Sequence, residues 1–319
     1  MPNLRAERGA LPPMELIDEV RSLLGGRAEV GSVEHVGSGA WSDCFAFVED
    51  GSHRVIRVGR HVDDFVKDRF AVRFNAPQLP VPTVHDVGSA DSGYFAISDR
   101  VFGDPLEGLK SWADVGASLV SMLEELRVAD LAETTGWGAW GESGNAPKAS
   151  WTEHLLSVNA DVSGQRTHGW SQKLRSQQQA QGLFDRCYSL LREVAIDAVP
   201  RSVIHGDLIN RNVHAEHGEI AGVFDWGCSI YGDHLYDFGW LDFWAPWFAC
   251  IEPDVIRAGL EARWGQAGHV VANFEERLLA CQLHIGLDHL AYNAYLEDWA
   301  AQDRLVARIT DLVDAGCVS

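Results

Sequence analysis

A two-lobed α+β fold is expected, with a small antiparallel β-rich lobe over residues 1–101 and a larger, mostly helical lobe over residues 102–319. Apolar residues alternate in the strand manner between residues 33 and 101. Beyond Phe102-Gly103 they recur at helical spacing. Inside the helical part lies a short β interruption, SVIHGDL followed by NVHAEHGEIAGVFDW. A cleft between two such lobes is the natural place for a ligand.

The elements follow in order. Residues 12–24 read as a capped amphipathic helix. VEHVGSGAWSDCFAFVED and SHRVIRVGR then alternate as strands joined by the turn E-D-G-S. Residues 63–74 are polar and helix-compatible, and LPVPTVHDVG and YFAISDRV supply two more strands. In the second lobe, residues 112–129, 151–158, 178–195 and 274–299 carry helical spacing. Residues 137–150, rich in Gly, Trp and Ser, read as a loop. The β interruption reads as a strand and then a hairpin turning at residues 216–219. No repeat or low-complexity tract appears.

Charge and cysteine usage narrow the function. Asp and Glu number 46 against 26 Lys and Arg, a formal charge of −20 over 319 residues. Such a field repels nucleic acid and anionic membranes and attracts cations, although it also serves plain solubility. The six cysteines, Cys44, Cys187, Cys228, Cys250, Cys281 and Cys317, form no C-x-x-C pair and no zinc-spaced cluster, which suits buried thiols in a reducing cytoplasm. The first residues contain no apolar signal segment. The most apolar stretch, residues 238–251, is too short to span a bilayer. A cytoplasmic monomer is expected, with no nucleic-acid or membrane partner.

The segment that carries chemistry is His205-Gly206-Asp207-Leu208-Ile209-Asn210-Arg211-Asn212, followed by Phe224-Asp225-Trp226-Gly227. Phosphoryl transfer from a nucleotide needs an oriented hydroxyl and neutralised phosphate charge, with little covalent help. In the pattern H-x-D-x-x-x-x-N with an Asp after the next hairpin, the first Asp is the base. The Asn and the second Asp hold magnesium through hard oxygen ligands. Asp207 is therefore assigned as base, and Asn212 and Asp225 as metal ligands. The same residues are also common in a simple strand-to-loop turn. Asp207 is read as an ordinary carboxylate, a weak base whose role is positioning first.

Two further features bear on the nucleotide. Val36-Gly37-Ser38-Gly39-Ala40-Trp41-Ser42 lies between two strand halves, and its small residues let backbone N–H groups approach phosphates. Ser38 and Ser42 mark that loop, which otherwise is a bare hairpin turn. Arg57, mid-strand in Val55-Ile56-Arg57-Val58, occupies the place where protein kinases bind phosphate through a Lys. Asp68 is its expected partner; an edge-strand Arg paired with an exposed acid is the plainer alternative. No G-x-x-x-x-G-K-[ST] occurs, which argues against a P-loop enzyme.

With these motifs in place, the chain resembles the aminoglycoside phosphotransferases, antibiotic kinases with the protein-kinase-like fold. The resemblance spans most of the chain. It is sharpest in Ile56-Arg57-Val58, Val66-Lys67-Asp68-Arg69-Phe70, Leu79-Pro80-Val81-Pro82, Ala129-Asp130-Leu131, Phe224-Asp225-Trp226, Tyr231-Gly232-Asp233 and the run of residues 243–250 and 285–290. The stretches W-x-P-W-x-A-C and K-D-R-[FY] point to the hygromycin subgroup. The resemblance implies ATP (GTP left open) with Mg2+ at the lobe interface, and adenine against the linker from Ser98 to Val101. It implies a cationic antibiotic, hygromycin B foremost, in the acidic helical lobe. Trp244 and Trp247 are then expected to pack on sugar rings, or to be core. Asp237, Asp288 and His289 become candidates for substrate amines and hydroxyls, or surface charges. Asp233 is expected to brace the catalytic loop. The sequence departs from the subgroup at Gly206 in place of Ala, at Arg211 in place of a second Asn, and at His289 in place of Gln. Arg211 is expected to contact phosphate or to change the substrate contacts. A kinase for a sugar, choline or homoserine-type metabolite, and a non-catalytic nucleotide-binding module, are the alternative readings.

Overall fold

The structure is a computed structural model and describes residues 13–316. The expected first helix is seen from Pro13; its cap lies outside the described residues. The helix α1 (Pro13–Leu24) precedes β1 (Glu34–Ser38), β2 (Ser42–Glu49), β3 (Ser52–Gly59), α2 (Val62–Ala71), β4 (Val84–Ala90) and β5 (Gly93–Asp99). The five strands form one antiparallel sheet in the order β1-β2-β3-β5-β4. Asp50 and Gly51, both at positive φ, make the two-residue β2–β3 turn whose twist suits a hairpin. Strand alternation puts Phe45, Phe47, Ile56, Val58 and Ile97 on one face, where Leu16, Val20 and Leu24 of α1 cover them.

After β5 the chain crosses to β6 (Asp104–Pro105), which pairs with β9 (Val213–Glu216) of the hairpin completed by β10 (Glu219–Val223). A third small sheet, in the order β7-β11-β8, joins β7 (Gly138–Ala139), β8 (Ser202–Ile204) and β11 (Ile230–Gly232). Around these lie α3 (Gly116–Val128), α4 (Trp151–Leu156), α5 (Trp170–Leu174), α6 (Gln178–Val194), α7 (Leu235–Trp244), α8 (Pro253–Ala267), α9 (Phe274–Leu296) and α10 (Trp299–Gly316). α9 is buried along most of its length and is the spine on which α5, α6, α7 and α10 pack. No helix among the described residues is long and apolar enough to cross a membrane.

The larger core also draws in Ala71, Phe74, Leu79 and Val81 from the first lobe. The helix expected to run to 299 stops at Leu296, because Glu297 turns left-handed (φ 58°) and a new helix starts at Trp299. Residues 137–150 are mainly loop, as expected, and are anchored: β7 pairs with β11, and Trp140 is buried against Tyr231 with ring centroids 4.5 Å apart.

Several histidines are buried in the larger lobe. Burial pulls His154, His205 and His234 each down to about 4, well below the ordinary imidazole value of 6.5. The unfolded chain binds the extra protons first, so each costs stability as pH falls from about 6.5 toward 4, by about 1.4 kcal/mol per pH unit. His154, stacked on Trp151 with no partner for Nε2, isolates the effect. Between pH 7 and pH 5 the wild-type melting temperature should fall more than that of His154→Leu. Parallel melting curves would contradict this.

Candidate active site

The site is built from the turn that leaves β8. The β8 residues are fully buried, and the chain must then reverse toward the hairpin. Gly206 makes the reversal at φ 77°, and a Cβ there would lie 2.8 Å from the Cys228 carbonyl oxygen. Glycine at this position, where the resembling subgroup carries Ala, thus has a local cause. The backbone N–H groups of His205 and Gly206 both donate to the Asp237 carboxylate, at 2.8 Å each. The neutral His205 ring accepts the Asp207 N–H at Nδ1 (3.3 Å) and lies 3.2 Å from the Phe224 carbonyl at Nε2. The Phe224 N–H donates to the Asn212 carbonyl at 3.0 Å. Catalytic loop and hairpin exit are thereby tied together twice.

The Asp207 carboxylate is held from both sides. Asn210 Nδ2 donates to Oδ1 at 2.7 Å and Asn212 Nδ2 donates to Oδ2 at 2.9 Å. Desolvation, with Asp225 and Glu107 nearby, pushes the Asp207 carboxyl up to about 8, against the pull of the two amides. It is therefore a far better proton acceptor than the ordinary carboxylate expected from sequence. The Asn212 amide spends its nitrogen on Asp207, which leaves its oxygen for another ligand. Asp225 turns left-handed (φ 63°) and keeps its side chain 45% exposed. Asn210 and Arg211 are also left-handed, at φ 68° and 70°. Such backbone costs on the order of 1–3 kcal/mol per residue and persists only where the surroundings enforce it. The Arg211 N–H is enforced by Glu107, whose Oε1 accepts it at 2.6 Å. Glu107 has no motif that marks it in the sequence.

From the small lobe, Arg57 on β3 pairs with Asp68 on α2 and reaches Asp225 Oδ1 at 3.4 Å. Asp68 Oδ1 accepts the Trp226 N–H at 2.8 Å. The β3 cation, its carboxylate and the second expected metal ligand are thus one contact chain. Ser38 and Ser42 flank the β1–β2 turn, closed by the Gly39 N–H on the Ser42 carbonyl at 2.8 Å. The Ser38 hydroxyl is engaged with Asp43 and His35. Ser98 lies in β5 between Val55 and Val84, and Val101 seats its methyls where a Cβ on Gly222 of β10 would otherwise fall.

On the helical side, Trp244, Trp247 and His289 form one cluster, with centroids 5.2 Å between the tryptophans and 4.8 Å between Trp244 and His289. Both tryptophans are half-buried, so neither is plain core. Asp288 is exposed, and the protein around it pushes its carboxyl above the ordinary range. Cys228, expected to be a buried thiol, is exposed. Its exposed thiol is within electrostatic range of Asp207, Asp225 and Asp288.

One pair of expectations is reversed. Asp237, expected to face substrate, is 2% exposed and both its oxygens are taken by the catalytic loop. Asp233, expected to brace that loop, is fully buried in a bidentate pair with Arg277 at 2.6 and 2.7 Å and accepts the Leu235 N–H. It sets the start of α7 rather than the loop.

A carboxylate between two amides, a second one after the next hairpin, and a strand cation joined to it make a phosphoryl-transfer arrangement. Residues 36–274 match the model of the phosphotransferase enzyme family. The chain belongs to this phosphotransferase family. The chain is 29% identical over 275 residues to hygromycin-B 4-O-kinase of Escherichia coli, covering 82% of this chain and 74% of that protein. A thermostable mutant of aminoglycoside phosphotransferase APH(4)-Ia, in ternary complex with AMP-PNP and hygromycin B, superimposes with TM-score 0.75. It is 26% identical, covering 94% of this chain and 99% of that one. Macrolide 2'-phosphotransferase MphH from Brachybacterium faecium shares the fold at TM-score 0.58 and 16% identity, covering 92% and 98%. The fold is the kinase-like α+β fold of these enzymes, and the chain is an aminoglycoside phosphotransferase-type kinase.

Proposed function

We propose that this phosphotransferase moves the γ-phosphoryl group of ATP to a hydroxyl of a cationic aminocyclitol antibiotic, hygromycin B foremost, in the cytoplasm. The observation that carries the reading is the Asp207 carboxylate fixed between Asn210 and Asn212 beside Asp225. Asp207 accepts the hydrogen bond of the acceptor hydroxyl and orients its lone pair. As the new O–P bond forms and the bond to the β-phosphate oxygen breaks, the hydroxyl proton passes to the Asp207 carboxylate and then to solvent. The donor set fits magnesium, since the free oxygen of Asn212 and the exposed carboxylate of Asp225 are hard ligands of the kind it takes. When bound, the ion supplies charge neutralisation for the phosphates. Arg57 adds a fixed cation on the other side. Asp288 and the −20 field draw a polyamine in, and Trp244 and Trp247 offer apolar faces to sugar rings.

The experiment is incubation with ATP and a panel of aminoglycosides, sugars, choline and homoserine, read by mass spectrometry. Hygromycin B should gain one phosphoryl group, and NMR of the product locates the hydroxyl. A panel in which no aminoglycoside is modified and a neutral metabolite is would overturn the substrate assignment.

A further inference from the structure

The Lys67-Asp68-Arg69 stretch stands out in the sequence, yet the phosphate chain uses only Asp68. Lys67 on α2 is 5% exposed. Its Nζ donates to the Gly227 carbonyl and the Ser229 carbonyl, at 2.8 Å each. It lies 5.1 Å from the centre of the Trp140 ring, which is itself stacked on Tyr231. Its neighbour Asp68 takes the Trp226 N–H at 2.8 Å. Two successive residues of one helix therefore hold residues 226, 227 and 229, the turn that directly follows Asp225.

We propose that Lys67 is a positioning residue for the metal-holding carboxylate: by clamping the two carbonyls after it, Lys67 holds Asp225 turned toward Asn212. This rests on the kinase reading given above. Asp225 is left-handed, so its backbone needs enforcement from the chain that follows it. A buried ammonium is costly unless its hydrogen bonds are made, and two carbonyl acceptors satisfy it here. Arg57 already reaches Asp225 Oδ1, so a loosened turn lets the guanidinium compete with the ion for that carboxylate. Burial draws the Lys67 ammonium down to about 8, and it still carries its proton at neutral pH. The groups around it are Asp63, Asp64, Arg166 and the Cys228 thiol.

The test uses the full chain and needs no acceptor. AMP-PNP affinity is measured by calorimetry with Mg2+ and with EDTA, for wild type and for Lys67→Met, whose folding is checked by melting temperature. In wild type, Mg2+ should tighten binding. In Lys67→Met that gain should shrink by about tenfold, the usual effect of losing an outer partner of a metal ligand. Affinity in EDTA should stay within about twofold, because Lys67 touches no nucleotide-facing group. Lys67→Gln keeps a shorter, neutral amide donor and should fall between; it carries the same test if Lys67→Met does not fold. An unchanged Mg2+ gain in either folded variant overturns the proposal. So does an equal loss with and without the metal, which marks a purely structural lysine. A wild-type chain whose AMP-PNP affinity ignores Mg2+ overturns the kinase reading itself and this inference with it.

Discussion

Asp207→Ala should lower kcat for the proposed phosphorylation of hygromycin B by about 10²–10⁴-fold, the range for removal of a positioned base. The effect should fall on kcat more than on KM, since the hydroxyl is oriented mainly as the reaction proceeds. AMP-PNP affinity should change only a few-fold, because the Asn212 oxygen and Asp225 remain. The stability readout is more telling. The Asp207 carboxyl is raised to about 8 in the folded protein, against an ordinary 3.8. Its ionisation therefore works against folding as pH rises through that interval. At pH 8 the alanine variant should melt no lower than wild type, and by removing the desolvated charge it should gain about 1–2 kcal/mol. That advantage should shrink toward pH 5, where Asp207 is protonated in the folded wild type. A variant that keeps near-normal turnover removes Asp207 from the chemistry; one that loses turnover together with several degrees of melting temperature assigns it a structural role instead.

The raised Asp207 also predicts a pH profile. In the free enzyme the base form grows as pH rises toward 8, so kcat/KM should climb over the neutral range rather than level off near pH 5. An acidic limb with a midpoint near the ordinary carboxylate value would show that the surroundings do not desolvate it.

How far the sequence carries this picture varies from residue to residue. The nearness of Asp207 and Asn212 is legible because the eight residues 205–212 between a buried strand and a hairpin leave little freedom, and their side chains meet at 2.9 Å. The hairpin at 216–219 is legible from turn chemistry, with His217 and Gly218 both at positive φ. Arg57 and Asp68 are paired from the sequence by analogy with a strand lysine and a helix acid, and they meet. By contrast, α7 shows no periodicity because nearly all its residues are buried, so there is no polar face to give it away. That obscures what each acid near its start holds, and the roles of Asp233 and Asp237, both buried, are interchanged as a result. Glu107 and Lys67 act on backbone atoms more than a hundred residues away. A contact between a side chain and a distant carbonyl or N–H leaves no residue-type signature on the partner. The helix expected over 274–299 overruns the end of α9 because the left-handed break falls on Glu297, a residue without a breaker's identity.

Asp237→Ala should be the most damaging single change outside the reacting groups. The carboxylate projects from the first turn of α7, whose start is fixed by Asp233 and the Arg277 pair. It accepts the N–H groups of His205 and Gly206, and those two donors have no other place to go in a fully buried segment. Burial pushes the Asp237 carboxyl up to about 6 while the two N–H bonds pull it back, so at pH 7.5 it is ionised and at its strongest as an acceptor. Alanine leaves two buried N–H groups unpaired, at about 1–3 kcal/mol each, and opens a small void. The expected loss is about 3–5 kcal/mol, or roughly 6–15 °C in melting temperature for a chain of this size. The same change frees the turn that carries Asp207, so kcat should fall by about 10²-fold even in the fraction that stays folded. Asp237→Asn separates the two effects. One amide oxygen still accepts one N–H, while the amide nitrogen faces the other donor. It should recover about half the stability and little of the rate. If Asp237→Ala instead melts like wild type and weakens only the KM for the antibiotic, Asp237 faces the substrate after all and the catalytic loop is held by something else.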